Sequence, residues 1–378
     1  MREILVIGML DSVHLARWLN QFENSEIQIT LFPSSKYRFL HPTIRNLLLS
    51  KNISLYRSSY LLRSKFSGYL DYFIFEFLKI SRSKQLKKMI LQNNFNLVHL
   101  IEIQHAGYLF IEANLPTERN FKVITTNYGS DLLFFKDMDA DLVKISKLLN
   151  ESDFYSAECH RDYHLAHTLG FRGVDLPCIP NSGGFSNDVF SQKLLPLSKR
   201  KTIYVKGYGE RFGLGEISLE VVNQLLDEFR EINVVIGSVT DDLQFKVKNL
   251  KLRYGERVSI LPIRKSIPHD ALLGILRQSI LVIGASRSDG ISTTFLEALV
   301  SGALPIQTNT SCAAEWTSKG FYGRVVPISK DAILKAATDI LQDPKKYEDA
   351  VRNNVNLAKS MLSFDAIKSQ AQTFYLAD

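Results

Sequence analysis

The chain is poor in the residues that build cross-linked or metal-held scaffolds. Its 378 residues include three cysteines, Cys159, Cys178 and Cys312, widely spaced and with no Cys-x-x-Cys pair. That pattern argues against a disulfide framework or a structural zinc site and for a reducing compartment. Long hydrophobic runs are missing too. The longest candidate, 69–80, is interrupted by Asp71 and Glu76 and is too short to span a bilayer. The amino-terminal apolar run stops at Asp11 without a small-residue cleavage site, so it reads as a first strand and not as a signal peptide. Three phosphate-binding signatures are absent. Gly8 lacks the partner glycines of Gly-x-Gly-x-x-Gly, no Gly-Lys-Ser/Thr closes the glycine-rich loop at 207–215, and no Asp-x-Asp stands at a strand end. These absences argue against a dinucleotide held by the first half and against a P-loop, and give no support to a metal-bridged diphosphate.

What is present is a globular composition, 45% apolar and 22% charged, in a chain long enough for two domains. Strand and helix signals alternate. Strands are predicted at 4–8, 27–32, 97–101, 123–126, 154–157 and 176–179, then at 202–206, 233–236, 258–261, 280–283 and 304–307. Alternation of this kind predicts parallel sheets covered by helices on both faces, an α/β fold. The turn-rich Pro180-Asn181-Ser182-Gly183-Gly184-Phe185 and the polar stretch 186–200 mark a boundary and linker. The domains expected are 1–185, 201–360 and a terminal helix, 361–378.

The stretch 280–308 carries the chemistry. A β-branched run, Ile280 to Ile283, is followed by small and polar residues, then by Phe295, Leu296, Leu299 and Val300 at helical spacing, Gly302 and a new strand. A turn at the carboxyl end of a parallel strand, followed by a helix amino terminus, presents unpaired N–H groups to anionic oxygen. Gly290, Ile291, Ser292 and Thr293 stand where those donors lie, between Asp289 and Glu297. Either Asp289 caps the helix and Glu297 is solvated, or the helix start holds phosphate while Glu297 accepts hydrogen bonds from a ribose diol; spacing alone leaves both open.

The run Ser288-Asp289-Gly290-Ile291-Ser292-Thr293-Thr294-Phe295-Leu296-Glu297-Ala298-Leu299, continued by Gly302, Pro305-Ile306, Cys312 and Glu315-Trp316, resembles the donor-binding segment of retaining GT-B glycosyltransferases, family 4-like enzymes in particular. Their pattern is two acidic residues separated by seven others; here the first is Asp289, one methylene shorter than the usual Glu. The resemblance implies a GT-B fold of two Rossmann-like domains facing across a cleft. It also implies transfer of a sugar from a nucleotide-diphosphosugar, with retention and without a metal or cofactor. It implies that Lys206, with Gly207 and Arg211 in the loop after the strand at 202–206, grips the diphosphate, and that the first-domain loops line the cleft. Asp11, Ser12 and His14 are candidates there, Ser12 with a plain helix cap as its alternative reading. In the loops 102–107 and 126–131, Asn127 stands where the family often has His, so acid/base or electrostatic duty falls on His105 or Asp131, with helix capping as the alternative.

Charge is uneven. Between Lys36 and Lys88 twelve Lys/Arg face two Asp/Glu, interleaved with aromatics, within a region, 37–94, that reads as helical. Such a surface suits anionic lipid headgroups, and the alternative is an aromatic core with a solvated basic rim. The partners expected are a nucleotide-sugar donor, a glycan or lipid-linked acceptor and an anionic membrane surface at the inner face of a cell, with no nucleic acid, since no reader motif is found. The setting expected is cytoplasmic, in surface polysaccharide assembly. Two rival readings are a sugar-nucleotide epimerase of the same fold and a catalytically silent GT-B partner, the latter favoured by Asn127 and Asp289. His160, His164 and His167 recur at one-turn spacing but lack the Glu of a zincin, so no metal site is expected there.

Overall fold

The structure, a computed structural model, describes residues 2–37, 39–56, 81–262 and 267–376. The chain forms two compact units, Met1–Gly184 with Phe364–Asp378, and Phe185–Ser363. With their parallel sheets they are two Rossmann-like α/β domains.

In the first unit β1 (Glu3–Gly8), β2 (Gln28–Pro33), β3 (Ile53–Leu55), β4 (Leu97–Ile101), β5 (Lys122–Thr126), β6 (Phe154–Ser156) and β7 (Val174–Asp175) pair in the order β3-β2-β1-β4-β5-β6-β7, all parallel. A parallel strand covered on both faces must be apolar at successive positions. β1 is: Ile4 and Val6 join Trp18 and Phe22 on one side, and Leu5 and Ile7 join Val98 and Leu100 on the other. The terminal helix Phe364–Phe374 adds Ile367, Ala371 and Phe374 to the Ile4 side. Just beyond it, the Tyr375 hydroxyl accepts from Trp18 Nε1 at 3.0 Å and meets His99 Nδ1 at 2.8 Å, while His99 Nε2 meets Thr126 Oγ1 at 2.7 Å.

The second unit holds β8 (Thr202–Lys206), β9 (Asn233–Gly237), β10 (Val258–Ile260), β11 (Ser279–Gly284), β12 (Leu304–Thr308) and β13 (Arg324–Val326), parallel in the order β10-β9-β8-β11-β12-β13. The helix Thr293–Ser301 packs Phe295, Leu296 and Leu299 against Tyr204 and Val282. It stops at Gly302, whose φ of 68° is left-handed, and the Ala303 N–H returns to the Ala298 carbonyl at 2.9 Å. In each sheet the strand order reverses at one point, between β1 and β4 and between β8 and β11. The loops leaving the carboxyl ends of those pairs occupy the usual ligand position in open α/β sheets.

Three expectations need correction. The region 37–94 is not one helical stretch: the helices Pro42–Leu47 and Arg82–Gln92 flank β3, and 57–80, the centre of the basic aromatic run, lies outside the described residues. The strand expected at 176–179 is instead β7, two residues earlier. The Leu176 N–H still bonds to the Tyr155 carbonyl at 2.9 Å, but Pro177 has no N–H with which to continue the ladder. The linker 186–200 is part of the second unit. Phe185, Val189 and Leu197 are buried there, and Arg200 donates to the carbonyls of Leu195, Ser279 and Gly302.

Candidate functional site

In the second unit the loops after β8 and β11 are stitched to each other. The Leu214 N–H donates to the Ala285 carbonyl at 3.0 Å and the Arg287 N–H to the Phe212 carbonyl at 2.7 Å. The glycine-rich loop needs its glycines where backbone meets backbone: a Cβ at Gly213 would sit 2.0 Å from the Tyr208 carbonyl oxygen. A second pair of anchors holds the same loop from β9's side, with the Gly209 N–H on Thr240 Oγ1 and the Glu210 N–H on Asp242 Oδ2, both at 2.9 Å. The Glu210 N–H draws the Asp242 carboxyl below the ordinary carboxylate range. Neither Thr240 nor Asp242 is suggested by sequence spacing.

Lys206 ends β8 half-buried, its Nζ 5.3 Å from the Tyr208 ring centre. Gly207 is buried and its N–H bonds to the Gly237 carbonyl at 2.8 Å. Arg211 is exposed at the loop's tip. Glu216, in the helix that follows the loop, pairs with Lys246.

On the other loop, Asp289 is half-buried, the Gly290 carbonyl accepts the Cys312 N–H at 2.8 Å, and Ile291 is in the core. Ser292 precedes the helix as its cap residue, yet its buried Oγ makes no hydrogen bond. The N–H groups of Phe295 and Leu296 return to the Ser292 carbonyl at 2.9 and 3.2 Å, while those of Thr293 and Thr294 lie too early in the helix to have an intrahelical acceptor. Glu297 does not lie on a solvated face: its side chain is 5% exposed, and Oε1 is 2.9 Å from Nε2 of His269, the first residue of the helix His269–Gln278. The His269 ring lies 6.2 Å from the Phe185 ring, near-parallel to it. Burial, with Glu297 next, raises the Tyr204 hydroxyl to about 12, so it remains a neutral donor.

In the first unit the loops after β1, β4 and β5 leave neighbouring strands. Ser12 accepts the His14 N–H at 3.2 Å as the cap of the helix Val13–Asn20, and the His14 ring lies 5.3 Å from that of Tyr128. Asp11 is exposed.

Asn127 is a correction. It is fully buried, donating to Asp162 Oδ2 at 3.1 Å and accepting the Tyr155 hydroxyl at 2.7 Å, and its carbonyl accepts from Asn181 Nδ2 at 3.2 Å. These bonds hold β5 to its neighbours, and the side chain has no surface open to solvent.

Asp131 is buried as well. Oδ1 accepts the Tyr128 N–H at 2.8 Å and Oδ2 the Ile103 N–H at 3.2 Å, so the carboxyl clasps the loops after β4 and β5 together. Burial, then the nearby Glu102, pushes it up to about 8 against those two N–H groups.

His105 lies in a π-helical turn, Ile103–Gly107, that follows β4 directly. Its partner is Glu102, at φ 73° and ψ 152°, a conformation that costs a non-glycine residue about 1–3 kcal/mol. Glu102 Oε1 accepts the N–H groups of His105 and Ala106 at 2.7 and 2.8 Å, and Oε2 is 3.0 Å from His105 Nδ1. That hydrogen bond raises the His105 pKa, with burial opposing it and Asp11 adding a smaller upward push. Neither Glu102 nor His269 is selected by the sequence reading. A carboxylate three residues before a histidine at a strand end is the signal for Glu102; nothing local signals His269. The histidines His160, His164 and His167 are exposed on their helix, and His167 Nε2 pairs with Asp175 at 3.0 Å. Among the described residues no helix is long and apolar enough to cross a membrane.

Residues 187–356 match the model of the family Glycosyl transferases group 1. No curated protein sequence matches the chain significantly. Among solved structures the chain is similar to sucrose-phosphate synthase from Thermosynechococcus elongatus, with 13% identity and a TM-score of 0.71 over 100% of this chain and 98% of that one. It is similar to Anabaena Alr3699/HepE in complex with UDP, with 15% identity and a TM-score of 0.68 over 100% of both chains. A glycosyltransferase from Rickettsia africae gives 16% identity and a TM-score of 0.62 over 99% and 97%. At such identities the likeness establishes the fold: the chain has the GT-B architecture, and its segment 187–356 matches a glycosyl transferases group 1 domain.

Proposed function

We propose that the protein is a glycosyltransferase that moves a sugar from a nucleotide-diphosphosugar to a glycan or lipid-linked acceptor, with retention at the anomeric carbon. The observation that carries this reading is the stitched pair of loops at the β8/β11 reversal, with the first turn of the helix Thr293–Ser301 and the nearly buried Glu297 behind them. The match of 187–356 to the group 1 family supports it, and HepE, whose structures hold UDP and UDP-glucose, makes a uridine diphosphate sugar the first donor to test.

In this reading the N–H groups of Gly290 to Thr293 and the Lys206 ammonium receive the diphosphate, and Arg211 adds charge from the tip of the glycine-rich loop. Departure of the nucleoside diphosphate builds negative charge there. Donors already oriented by the fold favour that charge more in the transition state than in the ground state, which makes a metal or other cofactor unnecessary. Glu297 receives the ribose diol. A carboxylate offers about four lone-pair sites, so the bond to His269 leaves acceptor capacity for it. Asp289, ahead of the helix, meets a hydroxyl of the transferred sugar. The first unit carries the acceptor, with Asp11, Ser12, His14 and His105 on its loops and Asp131 holding two of those loops in register. The basic composition of 36–88 supports an acceptor at an anionic membrane surface on the inner face of the cell and a role in surface polysaccharide assembly.

A thermal-shift panel of nucleoside diphosphates and nucleotide sugars tests the donor site. A ligand at about 100 times its Kd stabilises the folded state by about 2.7 kcal/mol, and Glu297→Gln should lose most of the shift. A panel in which no nucleotide moves the wild-type melting temperature would sink the reading. Release of an epimerised sugar from donor alone would replace it with the epimerase, and transfer indifferent to anionic vesicles would remove the membrane.

A further inference from the structure

Asp131 binds the loops after β4 and β5 to each other. One pair does something else. Glu102 turns its carboxylate back over the π-helical turn that follows it, and with Oε1 occupied by the N–H groups of His105 and Ala106, Oε2 is set against His105 Nδ1 at 3.0 Å. A side chain held by two backbone donors cannot swing away with the solvent, and the Glu102 side chain is only 8% exposed. The imidazole beside it is 50% exposed.

We propose that Glu102 is a positioning residue that fixes the neutral His105 ring with its proton on Nδ1, so that Nε2 is presented as a bare lone pair to a hydroxyl of the substrate sugar. The inference rests on the glycosyltransferase reading for its substrate, but not for its geometry. An ionised carboxylate accepts hydrogen bonds and donates none, so the nitrogen facing it must carry the hydrogen, and the other nitrogen of the neutral ring must then be the acceptor. The neighbouring polar groups cannot take this place. Asp131 and Asn127 are both buried, which leaves His105 as the partly exposed acceptor in the loops after β4 and β5 among the residues singled out there. The backbone of Glu102 supports a dedicated role. At φ 73° and ψ 152° a glycine would be at ease and a glutamate is not, so the position tolerates strain to put this carboxylate under this ring.

The substitution Glu102→Gln discriminates between this role and a structural one. The amide oxygen can still accept the two backbone N–H groups, while the amide nitrogen, now facing Nδ1, donates. The ring must answer by accepting at Nδ1 and moving its proton to Nε2, which turns the acceptor toward the sugar into a donor without changing the shape of the loop.

The experiment uses the full chain and the nucleotide sugar giving the largest thermal shift, starting with UDP-glucose. Long-range 1H–15N spectra of the histidine rings, assigned with His105→Ala and recorded at a pH high enough that the ring has lost its charge, should show Nε2 unprotonated in wild type and protonated in Glu102→Gln. Turnover of the donor should fall about 100-fold in Glu102→Gln, with the donor-induced melting shift retained, and Glu102→Gln should cost nothing further in the His105→Ala background. A neutral wild-type ring protonated at Nε2, an inverted ring with unchanged turnover, or additive losses in the double variant would each overturn the proposal. The wild-type spectrum decides the geometry even if Glu102→Gln does not fold. A protein that turned over no nucleotide sugar at all, yet held its Nδ1 proton, would count against the transferase reading and not against the pairing.

Discussion

Nε2 of His269 lies 2.9 Å from Oε1 of Glu297, and of the two side chains only that of His269 reaches solvent, at 36% exposed against 5%. A carboxylate so deeply placed needs partners, because losing one leaves part of its desolvation uncompensated. One partner here is the first residue of another helix, near the ring of Phe185. The proposed ribose acceptor is therefore held from a second element and not by its own helix alone.

His269→Ala should destabilise the protein by about 1–3 kcal/mol, the cost of taking a hydrogen-bond partner from a buried polar group. It should also weaken the thermal shift given by UDP, because Glu297 is no longer aimed. Urea unfolding measures the first effect and a UDP titration the second; a variant with full stability and full UDP affinity would show that the pair is idle.

Gly213→Ala should cost about 1–3 kcal/mol of overpacking, since the new methyl would lie 2.0 Å from the Tyr208 carbonyl oxygen, a backbone atom that cannot step aside. The loop after β8 would have to peel from the loop after β11. The expected result is a lower melting temperature together with loss of UDP binding, read in one thermal-shift series.

Asp131→Ala should leave the Tyr128 and Ile103 N–H groups without their acceptor and cost about 1–3 kcal/mol for each that stays buried. The UDP shift should survive, because the donor is assigned to the other unit. Calorimetry with and without UDP separates the two effects.

His99 gives a pH dependence of stability. Burial lowers its pKa from 6.5 to about 3, and it is hydrogen-bonded to Tyr375 and Thr126. A base whose folded pKa lies below its unfolded one contributes full stability above pH 6.5 and loses it as the pH falls toward 3, because the unfolded chain then binds the proton that the fold refuses. The slope from this group is at most about 1.4 kcal/mol per pH unit. Denaturant titrations between pH 7 and pH 4 should show that component in wild type and lack it in His99→Gln.

The parts of this fold legible in the chain are those whose signal is local. Ile4 to Gly8 and Ile280 to Ile283 are continuous apolar runs of strand length, and they are the buried strands beside the two points where sheet order reverses. The Asp289 to Glu297 spacing likewise places a turn and a helix start where they are found. Short edge strands escaped. β3 has three residues inside a basic, aromatic region, and β13 opens with Arg324, so neither offers a run long enough to show a period. Asn127 was misplaced for a related reason. A polar residue at a strand end looks the same whether it faces a ligand or a buried hydroxyl, and only the positions of Asp162, Tyr155 and Asn181 decide which.

By itself the sequence determined the alternation of strand and helix, the two-unit α/β plan and the turn and helix start after the strand at 280–283, because hydrophobic period, glycine placement and helix-end geometry act over a few neighbouring residues. Tertiary structure alone decided that Glu297 is buried against His269, 28 positions away, that Asp131 ties down a loop from a different strand, and that the loop after β8 is bonded to the loop after β11. Burial and hydrogen-bond partnership depend on which distant backbones the sheet order brings side by side, and no short window of sequence contains that information.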